Sequence, residues 1–213
     1  MALVLNGSTD TITGLQINSA NIVDGSITNS DLASGVGGKI LQVVPTVANG
    51  ASSVTISNQY DNNSSYIYYL TSLNTTLTTT ATNSKILISA NIFGEANQAD
   101  NVIGFVLSSS INTGTDTPID ALRGQEYGNR SRVSGMMSVG YYGNDQYSTP
   151  SVTTFSNFIY EPQQASGTSI VIKIGVVGIS STGTFYLNRT VNHGNINSFE
   201  YGVSSLTLQE VAP

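Results

Sequence analysis

Side chains able to do chemistry are few in this sequence, and their spacing is loose. The 213 residues include one histidine and no cysteine. His193 sits between Asn192 and Gly194 in NRTVNHGN, a turn context with no second histidine to share a metal or relay a proton. It reads as a turn residue facing solvent. Without cysteine there is no disulfide framework, thiolate zinc site or sulfur nucleophile. No serine stands in a G-x-S-x-G elbow. Asp116, Asp120 and Glu126 fall in the irregular stretch 109–131, and Asp145 lies between Tyr142 and Tyr147. Their spacing matches no calcium loop and defines no glycosidase pair. The glycines between 94 and 143 form no phosphate cradle. The expectation is a chain with no catalytic residues, no metal site and no cofactor.

The aromatic residues say more. Tyr141, Tyr142 and Tyr147 flank an Asn144-Asp145-Gln146 tip, and Tyr127 lies in the long irregular stretch. Tyrosine combines a flat apolar face with a hydroxyl and suits sugar or protein surfaces. Two readings stand. Either Tyr141 and Tyr142 end a strand, one side chain inward and one outward, or Tyr127, Tyr141, Tyr142, Asn144, Asp145 and Tyr147 belong to a binding surface. Arg130 and Arg132 read as charge solvating a loop. The triplets Asn129-Arg130-Ser131 and Asn188-Arg189-Thr190 have the form of glycosylation acceptors but carry almost no weight in a chain this rich in Asn and Ser.

The elements that must hold these residues are strands. From Lys39 on, short apolar and β-branched runs alternate with Gly, Asn, Ser and Asp turns. Lys39 to Val44 runs into Pro45, which marks a strand boundary or an edge. Val54 to Ser57, Tyr66 to Leu73 and the Thr-rich Thr75 to Thr82 follow, the last as an edge strand. Ser84 to Phe93 is the clearest strand. It carries Ile86, Ile88, Ala90 and Ile92 on one face, with apolar residues on the other face too, so it is expected at the centre of a sheet. Asn101 to Ser108, Thr168 to Gly178, Thr184 to Asn188 and Glu200 to Val211 are further strands. Val133 to Tyr142 and Val152 to Tyr160 read as a hairpin pair. No helical periodicity extends beyond a turn and a half, well short of the usual run of roughly 8 to 20 residues. The fold class is all-β: an antiparallel, jelly-roll-like β-sandwich head over residues 39–213.

Residues 1–38 differ. Leu3 and Leu5, then Ile12, Leu15 and Ile17, then Ile22, Val23 and Ile27 form short apolar pieces ended by Asx or Gly turns. Strands this short cannot bury their faces within one chain; copies wrapped about a common axis can. This segment reads as an extended arm, with a disordered tail as the other reading, joined to the head through Gly35, Gly37 and Gly38, where the backbone is freed to turn.

Only 9% of residues are charged and the net charge is −6, so hydroxyl and amide side chains must cover the surface. Scattered cations argue against nucleic-acid binding, which needs clustered positive charge. No apolar run approaches the roughly 20 residues of a membrane span, so membrane insertion is not expected. Met1 to Leu5 is too short and lacks the basic start of a signal peptide.

LNGSTDTITGL, VDGSITNSDLASG and GKILQVV together resemble the start of many tailed-phage fibre and virion structural proteins. TNSKILISANIFG, STPSVTTFSNFIYEPQ, and FYLNRTVN followed by YGVSSLTLQEV are similar to the strands and closing turn of their heads. The likeness covers nearly the whole chain. One departure follows Phe105 to Leu107, where such proteins often carry an Arg and an Asp-Gly and this chain has Ser108 to Ser110. The resemblance implies a homotrimeric appendage exposed on the virion. Its arm, through Leu3, Leu5, Ile12, Leu15 and Ile17, would attach to other virion proteins, and its head would touch a host surface glycan or protein. A capsid decoration, collar or baseplate part with no receptor-binding role is the other reading.

Overall fold

Alternation of apolar and polar side chains builds the observed elements. The computed structural model describes residues 40–97, 103–137, 148–180, 182–195, 197 and 199–213. The arm residues Leu3, Leu5, Ile12, Leu15 and Ile17, the expected boundary at 38/39, and Tyr141, Tyr142, Asn144, Asp145 and Tyr147 lie outside the described residues. Among those described, twelve strands form: β1 Ile40–Ala48, β2 Ser52–Ile56, β3 Tyr68–Tyr69, β4 Thr75–Thr78, β5 Lys85–Ala96, β6 Ile103–Ile111, β7 Thr117–Pro118, β8 Gly135–Met136, β9 Ser151–Tyr160, β10 Ser169–Gly178, β11 Gly183–Leu187 and β12 Ser204–Val211. The only helical segments among the described residues are single 3-10 turns at Ser64–Tyr66, Thr71–Leu73 and Asp120–Leu122.

Two antiparallel sheets pack as a sandwich. In the first, β5 is central: β9 lies along one edge, and β12 followed by β11 occupies the other. β1 then pairs with β12, and β2 with β11. In the second, β10 and β6 form the centre. β3 and β4 share the outer edge of β10, and β7 and β8 share that of β6. Taking β1, β4, β5, β6, β8, β9, β10 and β12 as the eight main strands in chain order, the layers read 1-8-3-6 and 2-7-4-5. This is the order of a jelly roll.

Burial follows the pattern. Ile86, Ile88, Ala90 and Ile92 of β5 face Ile170, Ile172, Ile174 and Val176 of β10 across one core that also holds Leu206 and Leu208. Phe105 meets Phe155 and Phe185 edge-on, with ring centroids 6.1 and 5.6 Å away, and so joins the sheets. β6 is buried from Ile103 to Ser110.

Three expectations need correction. Tyr66 to Leu73 is not a strand: only β3 pairs, between two 3-10 turns, because the residues that bury are Ile67, Leu70 and Leu73. Their spacing of three matches a 3-10 repeat, not a period of two. The expected hairpin of 133–142 with 152–160 does not form among the described residues. β8 pairs with β6 and β9 with β5, in different sheets. Gly and Asx signalled a connection, but not that it crosses the sandwich. The strand at Lys39 to Val44 does not stop at Pro45; β1 runs on to Ala48. As β1 is an edge strand, proline there needs no ladder partner for a missing N–H.

Register gives the sandwich two distinct ends. Ile40, Val211, Lys85 and Tyr160 lie at one, which we call the near end, with Thr78, Ser169 and Ile111 of the second sheet. Gly94, Leu187 and Ser151 lie at the far end, with Gly178, Ile103 and Met136. A buried carboxylate seals the near end. Glu210, fully buried, accepts hydrogen bonds from the Thr80 and Ala81 backbone N–H groups at 2.7 and 3.1 Å. The Gln42 amide and Thr80 hydroxyl donate to its other oxygen at 2.6 and 2.9 Å, and Gln42 also donates to the Thr78 carbonyl at 2.6 Å. Burial alone would push this carboxyl up; the donors, led by Gln42, outweigh it and hold it below the ordinary glutamate value.

Because the folded-state value is depressed, the stability from Glu210 is present above the ordinary carboxylate range and is lost as pH falls through the lowered folded value. Glu210→Gln is expected to cost about 2–4 kcal/mol at neutral pH, since it removes charged bonds and leaves buried donors unmatched. Urea unfolding of both proteins against pH checks this: the gap between them narrows toward acid.

Candidate functional site

At the far end the later part of the long segment 112–134, from Asp120 on, folds back over the β10 terminus, and two arginines fasten it. Tyr60, fully buried, donates its backbone N–H to the Gly178 carbonyl at 2.7 Å. The Arg123 guanidinium, 9% exposed, donates to the Tyr60 hydroxyl at 3.0 Å and to Asp120. Arg132, also mostly buried, contacts Asp120 at 3.4 Å and donates from Nε to the Gly124 carbonyl at 2.8 Å. The Arg123 bond, more than burial, holds the Asp120 carboxyl below its usual range, and Arg132 adds to it. Asn62 then ties the segment to the 60–63 loop, accepting from Arg132 N–H at 2.7 Å and donating to the Arg130 carbonyl at 3.0 Å.

Arg132 is therefore not a solvating charge, contrary to expectation. It braces a loop that carries Tyr127 into solvent. Tyr127 is 73% exposed, with the Arg130 guanidinium 5.2 Å from its ring centroid. Of the expected binding residues, Tyr127 alone is described, and it stands at the far end. Asp116 is turned to Lys173 at 2.7 Å, away from Asp120, and Glu126 is exposed, so these carboxylates do not converge. His193 is exposed in an irregular connection.

Sequence reasoning missed two buried polar centres near this end. Glu95, 2% exposed, accepts from the Thr149 N–H at 2.8 Å and the Val191 N–H at 2.6 Å, anchoring the segments before β9 and after β11. Asn188, fully buried with φ +61°, donates to the Ala48 and Gly50 carbonyls at 2.7 and 3.0 Å. It also accepts from the Ser204 hydroxyl at 2.6 Å. Asparagine tolerates this left-handed backbone and supplies donors and an acceptor at once. The Asn188-Arg189-Thr190 triplet is thus a structural corner whose amide is committed. For Glu210 the sequence does hold a signal: it continues the inward phase of Leu206 and Leu208.

A groove opens along one side of the sandwich toward the near end, between the free edges of β9 and β7. Its volume is about 740 Å³, within the range of ligand clefts. Ile111, Pro118, Ile119 and Ile159 give it apolar walls, and Asp120 and Glu161 stand among its lining residues. The Ser109 and Tyr160 hydroxyls, 3.0 Å apart, link its two sheets. No residue singled out from the sequence for binding lines it.

No protein-family model matches the sequence, and no curated protein does. Among solved structures, the chain is similar to infectious bursal disease virus, Gx strain, at 12% identity and TM-score 0.32, covering 80% of this chain and 36% of that one. The infectious bursal disease virus VP2 subviral particle gives 12% and 0.32, covering 81% and 41%. A CocE/NonD family hydrolase from Staphylococcus aureus gives 7% and 0.26, covering 82% and 34%. The chain spans well under half the length of each, and at these values the likenesses carry no argument about function.

Asn188→Ala is expected to lower stability by about 2–4 kcal/mol, because three partners, two of them buried, lose their bonds. Asn129→Ala, in the exposed triplet, should change it by less than about 0.5 kcal/mol. Thermal or urea unfolding of the two variants checks the contrast.

Proposed function

We propose that the chain is a structural, non-enzymatic virion protein of a tailed phage, a homotrimeric fibre or spike. Its arm attaches to other virion proteins through Leu3, Leu5, Ile12, Leu15 and Ile17, and its head meets the host surface. The observation that carries this reading is the polarity of the sandwich. The described head begins at Ile40, at the near end, while the braced Tyr127 loop stands at the far end. The strand termini that flank the Tyr141–Tyr147 segment, Met136 and Ser151, lie at the far end as well. A chain that is held by one end and recognises with the other needs that separation.

Composition supports the same reading. A surface with few charges and many hydroxyls and amides suits polar contacts to a glycan or protein, and stays soluble without a strong field. The sequence resemblance to phage fibre proteins supplies the class.

Two measurements test it. Light scattering of the full chain at micromolar concentration should give close to three times the 22.4 kDa chain mass; a monomer overturns the assembly. Labelled full chain should adsorb to susceptible bacterial cells, and Tyr127→Ala should weaken adsorption at least tenfold with an unchanged melting temperature, as expected for an exposed aromatic anchor. Undiminished adsorption would remove Tyr127 from the contact.

A further inference from the structure

The two flanks of the sandwich differ in a way that a second chain can use. On the β1 flank, Gln42 and Glu210 close the sheets together, joining β1, the Thr78–Ala81 segment and β12. The outer surface there is apolar: Ile40, Val43 and Val47 are 53–62% exposed. On the β9 flank the sheets part and leave the groove described above. One cross-strand row joins the flanks on the outer face: Val43 pairs with Gln209, Gln209 with Leu87, and Leu87 with Ile159. Ile159, 53% exposed, also lines the groove. A row that is apolar but for Gln209 thus runs from a closed flank to an open one, at the end where the described head begins.

We propose that the groove between β7 and β9 receives the β1 flank of a second copy of this chain, with Val43 and Val47 set against Ile111, Pro118, Ile119 and Ile159. This rests on the assembly reading above and specifies its contact.

Three observations support a copy of this chain as the occupant. The donor and acceptor surfaces are different patches on opposite edges of one sheet, as a heterologous contact that closes into a ring requires; a two-fold dimer would need one self-complementary patch. β1 carries no charged side chain from Ile40 to Ala48, so it sets no charge against a groove whose carboxylates, Asp120 and Glu161, are already paired with Arg123 and Lys85. Pro45 interrupts the free edge of β1, which disfavours strand addition there and leaves side-chain packing as the mode of contact.

The chain has no cysteine, so introduced pairs report cleanly. β1 packs beside β4 of the other sheet, and β7, which carries Thr117, is separated from β4 by β10 and β6, roughly 14 Å across three strand spacings, beyond the reach of an intrachain disulfide. Under mild oxidation, full-length V47C/T117C should give linked species ending at the closed ring, while V47C alone stays unlinked. In parallel, V43E and I159E, both at exposed positions, should each convert the oligomer to a 22.4 kDa species at micromolar concentration with unchanged circular dichroism. An oligomeric parent whose mass survives both charge variants overturns this contact and leaves the assembly reading intact. Strong linking in V47C alone overturns it in favour of a two-fold contact. A monomeric parent overturns both.

Discussion

The structure depends on the position of its last strand. β12 is inserted between β1 and β5, so the C-terminus completes a sheet that the N-terminal part of the head began. Nothing local stabilises that pairing; it joins residues more than 100 positions apart, and loop-closure entropy must be offset by burial. Leu206 and Leu208 supply burial, at about 1.5–3 kcal/mol for each such side chain. Glu210 then fixes register. Its carboxylate binds the turn before β5 and the Gln42 side chain of β1 together, so a slip of one residue would leave a buried charge without donors.

The two ends follow from this arrangement. The near end is closed by Glu210 on the β1 side and open at the β9 side, where a groove forms between unpaired edges. The far end is closed by Glu95 and Asn188, and it supports a loop held by arginines and not by strand pairing. Glu95, Asn188 and Glu210 bind connections. They anchor loop backbone that no ladder satisfies, which is what a sandwich with little regular structure in its loops requires.

Much of the fold was legible. The inward phase of β5, β10 and β12 is visible as alternating Ile, Val and Leu, and the jelly-roll class follows from strand number and turn chemistry. The site was less so. Tyr127 could be placed in an irregular segment, but Tyr60 and Asn62, which brace that segment through Arg123 and Arg132, lie up to 70 positions from their partners and share no local pattern with them. The groove is formed by strand edges that meet only after the chain crosses between sheets, and the misread β8–β9 connection is the crossing that composition alone could not reveal. Asn188 was hidden by a triplet that has another common meaning.

The central claim is that the ends have separate roles: assembly at the near end and exposure at the far end. A cryo-electron-microscopy reconstruction of the assembled full chain tests it most directly. The account predicts Ile40 of each copy turned toward the shared arm, β1 of one copy against the β7–β9 groove of the next, and Tyr127 at the free tip. Tyr127 loops buried against one another, with Ile40 at the periphery, would contradict it.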